Sequence, residues 1–200
     1  MPKSLSVFDK QRRLTNCQEL LHRYEEDLEE FEARIVTGDE TWVYDYQPES
    51  KQQSKVWIKK GNPPPVKFKT TKSAGKTMIT VFWDCKRVVL VDILPRGTTM
   101  TGKYYAGLLG RLREAVKKER RGILLQHDNA SPHTSHVSST AIHDCGFELL
   151  PHSPYSPDLA PSDYHLFSNL KKALGGKRFS DDNELKAFVN GWLHGKTQNF

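Results

Sequence analysis

The stretch Arg34-Ile35-Val36-Thr37-Gly38-Asp39-Glu40-Thr41-Trp42-Val43-Tyr44 leaves the chain the least freedom. It is dense in β-branched and aromatic residues, which crowd a helix but fit a pleated strand. Alternation with a period of two puts Ile35, Thr37, Asp39, Thr41 and Val43 on one face. An acid in the middle of so apolar a strand is costly to desolvate unless something pairs with it. A fold built on this segment needs a sheet, and it needs an answer for Asp39.

The flanking patterns say what surrounds that strand. Residues 11–33 carry Leu14, Cys17, Leu20, Leu21, Tyr24, Leu28 and Phe31 at steps of three and four. That is the period of an amphipathic helix, with Glu25, Glu26, Asp27, Glu29 and Glu30 toward solvent. Thr77–Trp83 and Val88–Leu94 read as an antiparallel hairpin, although its turn, Asp84-Cys85-Lys86-Arg87, holds no glycine. A helix is predicted over 102–121, with Tyr105, Leu108, Leu109, Leu112 and Val116 on its buried side. Ile123-Leu124-Leu125 is a short buried strand that delivers Gln126-His127-Asp128-Asn129. Ser131-Pro132 looks like the start of a helix running to Cys145-Gly146. Phe147–Leu150 is one more strand. A last strong helix opens at Pro161-Ser162-Asp163, buries Leu166, Phe167, Leu170 and Leu174, and stops at Gly175-Gly176; the remainder reads as weakly helical. The order predicts an α/β protein, a mixed sheet with helices packed on it.

Residues 47–76 are different. Gly61-Asn62-Pro63-Pro64-Pro65 forbids a helix or a central strand, and no acid occurs between Glu49 and Asp84. The segment holds Lys51, Lys55, Lys59, Lys60, Lys67, Lys69, Lys72 and Lys76, interrupted by Trp57 and Phe68. A loop of this length is more often functional than idle, and lysines interleaved with aromatics suit nucleic acid. The whole chain carries a net charge of +6, which favours an anionic partner. Several classes drop out. No stretch approaches the ~20 apolar residues needed to cross a bilayer. Met1-Pro2-Lys3-Ser4 lacks an apolar signal core, and Cys17, Cys85 and Cys145 are too dispersed for a disulfide framework. No Gly-x-Ser-x-Gly elbow, Walker loop or dinucleotide fingerprint is present, so no nucleotide cofactor is expected.

Three aspartates remain to be explained. Asp39 lies mid-strand, Asp128 just past the carboxyl end of a buried strand, and Asp163 in the first turn of a helix. One at a time, each has an ordinary reading as a solvent-facing, turn-capping or helix-start residue. Together they suit paired divalent cations, since hard Mg²⁺ or Mn²⁺ prefers oxygen ligands and two-metal phosphoryl-transfer sites hold ions about 3.5–4 Å apart. A zinc site from His127, His133 and His136 with Asp128 is the competing arrangement, because two of those histidines lie three apart on the predicted helix.

Thr37-Gly38-Asp39-Glu40-Thr41-Trp42, His127-Asp128-Asn129-Ala130 with Pro132-His133, and Tyr155-Ser156-Pro157-Asp158-Leu159-Ala160-Pro161-Ser162-Asp163 resemble the catalytic signatures of mariner-family DNA transposases. Thirty-four residues separate Asp128 from Asp163, the family's spacing, and Lys72–Lys76 and Val81–Asp84 extend the likeness. The resemblance implies a ribonuclease H-like fold, with Asp39, Asp128 and Asp163 holding two Mg²⁺ or Mn²⁺ ions. It implies phosphodiester hydrolysis and strand transfer at transposon ends, by a homodimer in the nucleus. The implied organisation is a helical lead-in over 1–33, a catalytic domain over 34–178 and a short helical segment over 179–200. The lysine-rich insertion 47–76 would correspond to the family's clamp loop. Against the family pattern, the sequence reads as a fragment without the helix-turn-helix domains that recognise inverted repeats. A non-catalytic DNA-binding or dimerisation protein derived from such an element is the alternative.

Overall fold

The strand around Asp39 is the centre of the molecule. In the computed structural model, which describes residues 4–63, 65–66, 70–116 and 122–195, it runs as β1 (Ile35–Tyr44). β2 (Lys76–Trp83) pairs with it antiparallel, setting Thr37 against Trp83 and Asp39 against Val81. β4 (Leu124–Gln126) pairs with its other edge in parallel, setting Ile35 against Leu124 and Thr37 against Gln126. β3 (Val88–Ile93) and β5 (Glu148–Leu149) complete the mixed five-stranded sheet that the sequence predicts, and the fold sets its order as β3-β2-β1-β4-β5. The glycine-free hairpin turn is closed by Asp84, whose Oδ1 accepts the N–H groups of Lys86 at 2.7 Å and Arg87 at 2.9 Å. The aspartate supplies by hydrogen bonding what a glycine would supply by conformation.

Each face of the sheet buries its own apolar layer. On one side Val36 and Phe82 meet α3 (Gly102–Val116), which buries the predicted Tyr105, Leu108, Leu109, Leu112 and Val116. On the other, Val43, Ile79, Val81 and Trp83 meet Leu166, Phe167, Leu170 and Leu174. Each fully buried leucine contributes about 1.5–3 kcal/mol, so these layers hold the sheet that carries the acids. Lys67, Phe68, Lys69 and the basic run 117–121 lie outside the described residues.

Four sequence expectations are corrected. The lead-in is two helices, α1 (Val7–Glu26) and α2 (Leu28–Arg34), because the Asp27 side chain accepts the Glu30 N–H at 3.0 Å and caps the second. The apolar stripe of α1 is not its docking face. No residue of α1 is buried, Leu14 and Leu21 are 51% and 54% exposed, and the helix is tied down by polar contacts. These are Arg13 with Asp158, Asn16 with Ser153 and Arg23 with Glu148. α4 (His136–Asp144) starts later than Ser131-Pro132 suggested: Ser135 is the cap, and residues 131–134 form a turn. The tail is not weakly helical, since α6 (Asp182–His194) is well formed. Asp181 accepts the N–H groups of Asn183 and Glu184, Glu184 returns a bond to the Ser180 N–H, and Leu185, Val189 and Leu193 are buried. That reciprocal cap is readable in Ser180-Asp181-Asp182-Asn183-Glu184.

The helix that begins near Pro161 also has an unforeseen start. Ser162–Phe167 is π-helical and passes into α5 (Ser168–Leu174). The wider turn is pinned to β2 by the indole N–H of Trp83, which donates to the buried Ser162 hydroxyl at 3.0 Å. Single π turns of this kind are frequent at functional sites, and this one carries Asp163.

Candidate active site

Asp39 sits in the middle of β1, in register with Val81. Its Oδ1 accepts the Glu40 N–H at 2.7 Å. Burial raises its carboxyl most, and the negative charge of Asp163 adds to that. Glu40 and Asp128 push the same way, so that Asp39 rises to about 7 despite the backbone bond. Asp163, at the head of the π turn, is likewise held above the ordinary carboxylate range by burial and by Asp128, against a cationic pull from Lys171. The three acids therefore feel one another across elements 124 residues apart at the extremes, 39 to 163. Like charges this close oppose one another's ionisation.

Asp128 behaves differently because it has partners. It follows β4, and its Oδ1 accepts the Ala130 N–H at 2.9 Å and bonds His133 Nδ1 at 2.7 Å. Burial alone would push it up; the imidazole and the backbone N–H outweigh that and hold it below the ordinary range. Both bonds fall on Oδ1, which leaves Oδ2 available to a ligand.

The partner of Asp128 was not read from sequence as what it is. His133 is buried, with Nε2 at 3.1 Å from Glu40 Oε2, an ion-pair distance without hydrogen-bond alignment. Burial opposes its charge, but Asp128 and Glu40 on either side outweigh that and lift it to about 10. His133 is therefore an imidazolium bridging two carboxylates. It stacks on His127 at 4.9 Å with 7° between the planes, and lies 4.1 Å from the Tyr105 ring. His127 is neutral: burial and the charge of His133 drive it down to about 3, and its Nδ1 bonds the Tyr105 hydroxyl at 2.7 Å. The supposed zinc trio does not assemble. His136 is exposed at the start of α4, His133 lies in the preceding turn, and His127 is engaged with Tyr105.

Asp128 and Asp163 line one cleft of about 310 Å³ with Asn129, His152 and the Pro154–Pro157 turn. Tyr155 in that turn takes φ +54°, a left-handed conformation that costs a bulky residue roughly 1–2 kcal/mol. The three aspartates do not form a closed ligand shell: among the described residues, no three His, Cys, Asp or Glu side chains are grouped tightly enough to hold a metal as they stand.

The lysines separate into two sets. Lys51, Lys55, Lys59 and Lys60 are exposed, as are Val56, Trp57 and Ile58 among them, whereas Lys67 and Lys69 lie outside the described residues. Lys72 and Lys76 stand over the rings of Tyr44 and Trp42, at 4.5 Å and 4.0 Å, and fasten the returning end of the loop to β1. The outgoing end is fastened too: Gln53 Nε2 donates to the Lys172 carbonyl at 2.7 Å, and Arg96 Nη2 bridges Asp45 and Asp182 at 2.6 Å and 2.5 Å.

Known proteins place this geometry. Residues 47–125 match the family model described as Transposase (partial DDE domain). Over its full length the chain is 34% identical to the Mariner Mos1 transposase of Drosophila mauritiana, and it spans 59% of that protein. The crystal structure of the catalytic domain of Mos1 mariner transposase superposes with a TM-score of 0.77 at 32% identity, covering 96% of this chain and 84% of that one. The Mos1 paired end complexes with Mn and with Mg each superpose at 0.87 and 34% identity, covering 98% of this chain and 58% of theirs.

Proposed function

Because the chain belongs to the mariner transposase family, and to the part of it that forms the catalytic domain, we propose that it performs metal-dependent phosphodiester transfer on transposon-end DNA. In this reading Asp39, Asp128 and Asp163 are the ligands of two Mg²⁺ or Mn²⁺ ions. The observation that carries it is the cleft in which Asp128, after β4, and Asp163, from the π turn, face one space, with half-buried Asp39 on β1 raised by the charge of both. Crowded oxygen donors that resist ionisation together suit hard divalent cations, whose charge removes the repulsion. When bound, such ions activate an attacking oxygen and steady a leaving one.

The rest is done by the chain itself. β1 fixes Asp39 in the sheet, and the Trp83–Ser162 bond holds the turn that presents Asp163. His133 keeps Asp128 ionised and its Oδ1 occupied, so that Oδ2 faces the task of ligation. The exposed lysines of 51–60 add affinity for the sugar–phosphate backbone without reading sequence. Exposed Val56, Trp57 and Ile58 at the same loop support a second copy of the chain as a further partner; acting on transposon DNA, the protein would work in the nucleus.

The decisive experiment is nicking of supercoiled plasmid in Mn²⁺, compared with Asp128→Asn. Nicking lost in the variant supports the reading. Cleavage that survives the substitution overturns it, and DNA binding without metal-dependent cleavage points to a binding protein instead.

A further inference from the structure

We infer that His152 contacts the substrate in the same cleft, donating the Nε2–H of a neutral imidazole to a phosphate oxygen of the DNA strand lying between Asp128 and Asp163; this rests on the phosphodiester chemistry proposed above. Nothing in the sequence singles His152 out. In the fold it follows β5 and lines the cleft of about 310 Å³ shared by the two aspartates.

Its proton is placed by a relay that runs from β1 through β4 to the segment after β5. Thr37 on β1 and Gln126 on β4 are partners in register, and the Thr37 hydroxyl donates to Gln126 Oε1. With Oε1 engaged as an acceptor, the Gln126 amide turns its NH₂ toward His152 Nδ1, 3.3 Å away. Nδ1 therefore supplies a lone pair, and the proton of the neutral ring resides on Nε2. Asn129 holds the backbone from the other side, its Nδ2 donating to the His152 carbonyl at 2.8 Å. Burial keeps the ring neutral, holding His152 below the ordinary imidazole range against the pull of Asp128, Asp163 and Asp158.

A neutral donor is what this position needs. A lysine or arginine beside the acids would pair with a carboxylate and compete with cations for it. An imidazole N–H binds a phosphate oxygen while leaving the carboxylates free. Hydrogen bonds to charged groups of this kind are worth roughly a ten- to hundredfold effect. His152 would be a catalytic residue, with Gln126 and Thr37 as positioning residues.

Long-range ¹H–¹⁵N NMR of the histidine rings, with His152 assigned from its loss in His152→Gln, should show the Nε2–H tautomer in the wild type. Gln126→Glu, which faces Nδ1 with a carboxylate, should place a proton on Nδ1. His152→Leu should slow Mn²⁺-dependent nicking by roughly ten- to hundredfold with Mn²⁺ affinity unchanged. His152→Gln, which keeps a donor at the same reach, should stay within about threefold of wild type. An Nδ1–H tautomer in the wild type, or wild-type nicking by His152→Leu, overturns the inference. If the wild type does not nick at all, binding of a short duplex in Ca²⁺ separates the two claims. Weaker binding by His152→Leu then upholds the phosphate contact alone, and equal binding removes both.

Discussion

Nδ1 of His133 lies 2.7 Å from Oδ1 of Asp128, and the same ring carries its other nitrogen to within 3.1 Å of Glu40. One buried cation thus neutralises two acids, Glu40 on β1 and Asp128 just past β4, while Asp39, the residue next to Glu40, receives no such cation among the described residues. The site divides its carboxylates into a satisfied pair and an unsatisfied one, and the unsatisfied pair, Asp39 and Asp163, is where charge is still wanted.

Replacing His133 tests that division. His133→Leu keeps the volume but leaves Glu40 and Asp128 without their cation, and should cost about 1–3 kcal/mol, discounted because Asp128 is partly exposed. The sign with pH follows from a raised imidazole. The stability it lends is complete below its ordinary 6.5 and is lost as pH rises through about 10. Denaturant melts of wild type and variant should therefore differ most at pH 6 and converge toward pH 10. A gap that is constant across that range refutes the bridging imidazolium.

Asp39 gives a second pH dependence. An acid raised from 3.8 to about 7 binds its proton more tightly folded than unfolded, so its contribution is complete below 3.8 and lost as pH climbs through about 7. Asp39→Asn removes the repulsion, and its stability advantage over wild type should grow by about 1–3 kcal/mol between pH 5 and pH 8. The same substitution should abolish Mn²⁺-dependent nicking. For the wild type, Mn²⁺ affinity measured by titration calorimetry should rise with pH up to about 7, because binding must displace that proton. Stabilisation without loss of nicking would show that Asp39 is merely a half-buried structural acid.

Much of this site was legible in the sequence, and the gaps have physical causes. Asp39 was visible because strand alternation made an acid there expensive, and Asp128 because a short apolar run points to the ligand-binding end of a sheet. His133 was misplaced on a helix beside His136 because Ser131-Pro132 carries a true capping signal. In the fold the Asp128–Ala130–His133 turn competes for those residues and wins, and Ser135 inherits the cap. The leucine stripe of α1 follows the right period, yet the face that docks is set by Arg13, Asn16 and Arg23, which meet acids and a serine brought in by remote loops. No local pattern announces such partners. Gln126 and His152 were silent for the same reason: their meaning depends on strand register, through Thr37.

Gly38 tests how closely the site depends on the core beneath it. A Cβ at this position would lie 2.3 Å from Cε1 of Phe82, a fully buried ring directly opposite in the ladder. Gly38→Ala must move either the ring or the strand that carries Asp39, and should cost about 1–3 kcal/mol by overpacking. Adding Phe82→Leu should recover part of that loss. Thermal melts of the single and double variants check the coupling, and additive losses would mean that the contact is not the cause.

The exposed lysines make a prediction that separates them from the acids. Lys51, Lys55, Lys59 and Lys60 stand clear of ion pairs among the described residues, while Lys72 and Lys76 are engaged with Tyr44 and Trp42. If the first set tracks a phosphate backbone, each substitution by alanine should lower the slope of log affinity against log salt by about 1, uniformly across DNA sequences. Lys72→Ala and Lys76→Ala should instead loosen the end of the loop and lower the melting temperature. Fluorescence anisotropy over a salt series measures the first effect and calorimetry the second. A salt slope unchanged by removing all four exposed lysines would assign the loop to a protein partner and leave DNA to be held by the cleft alone.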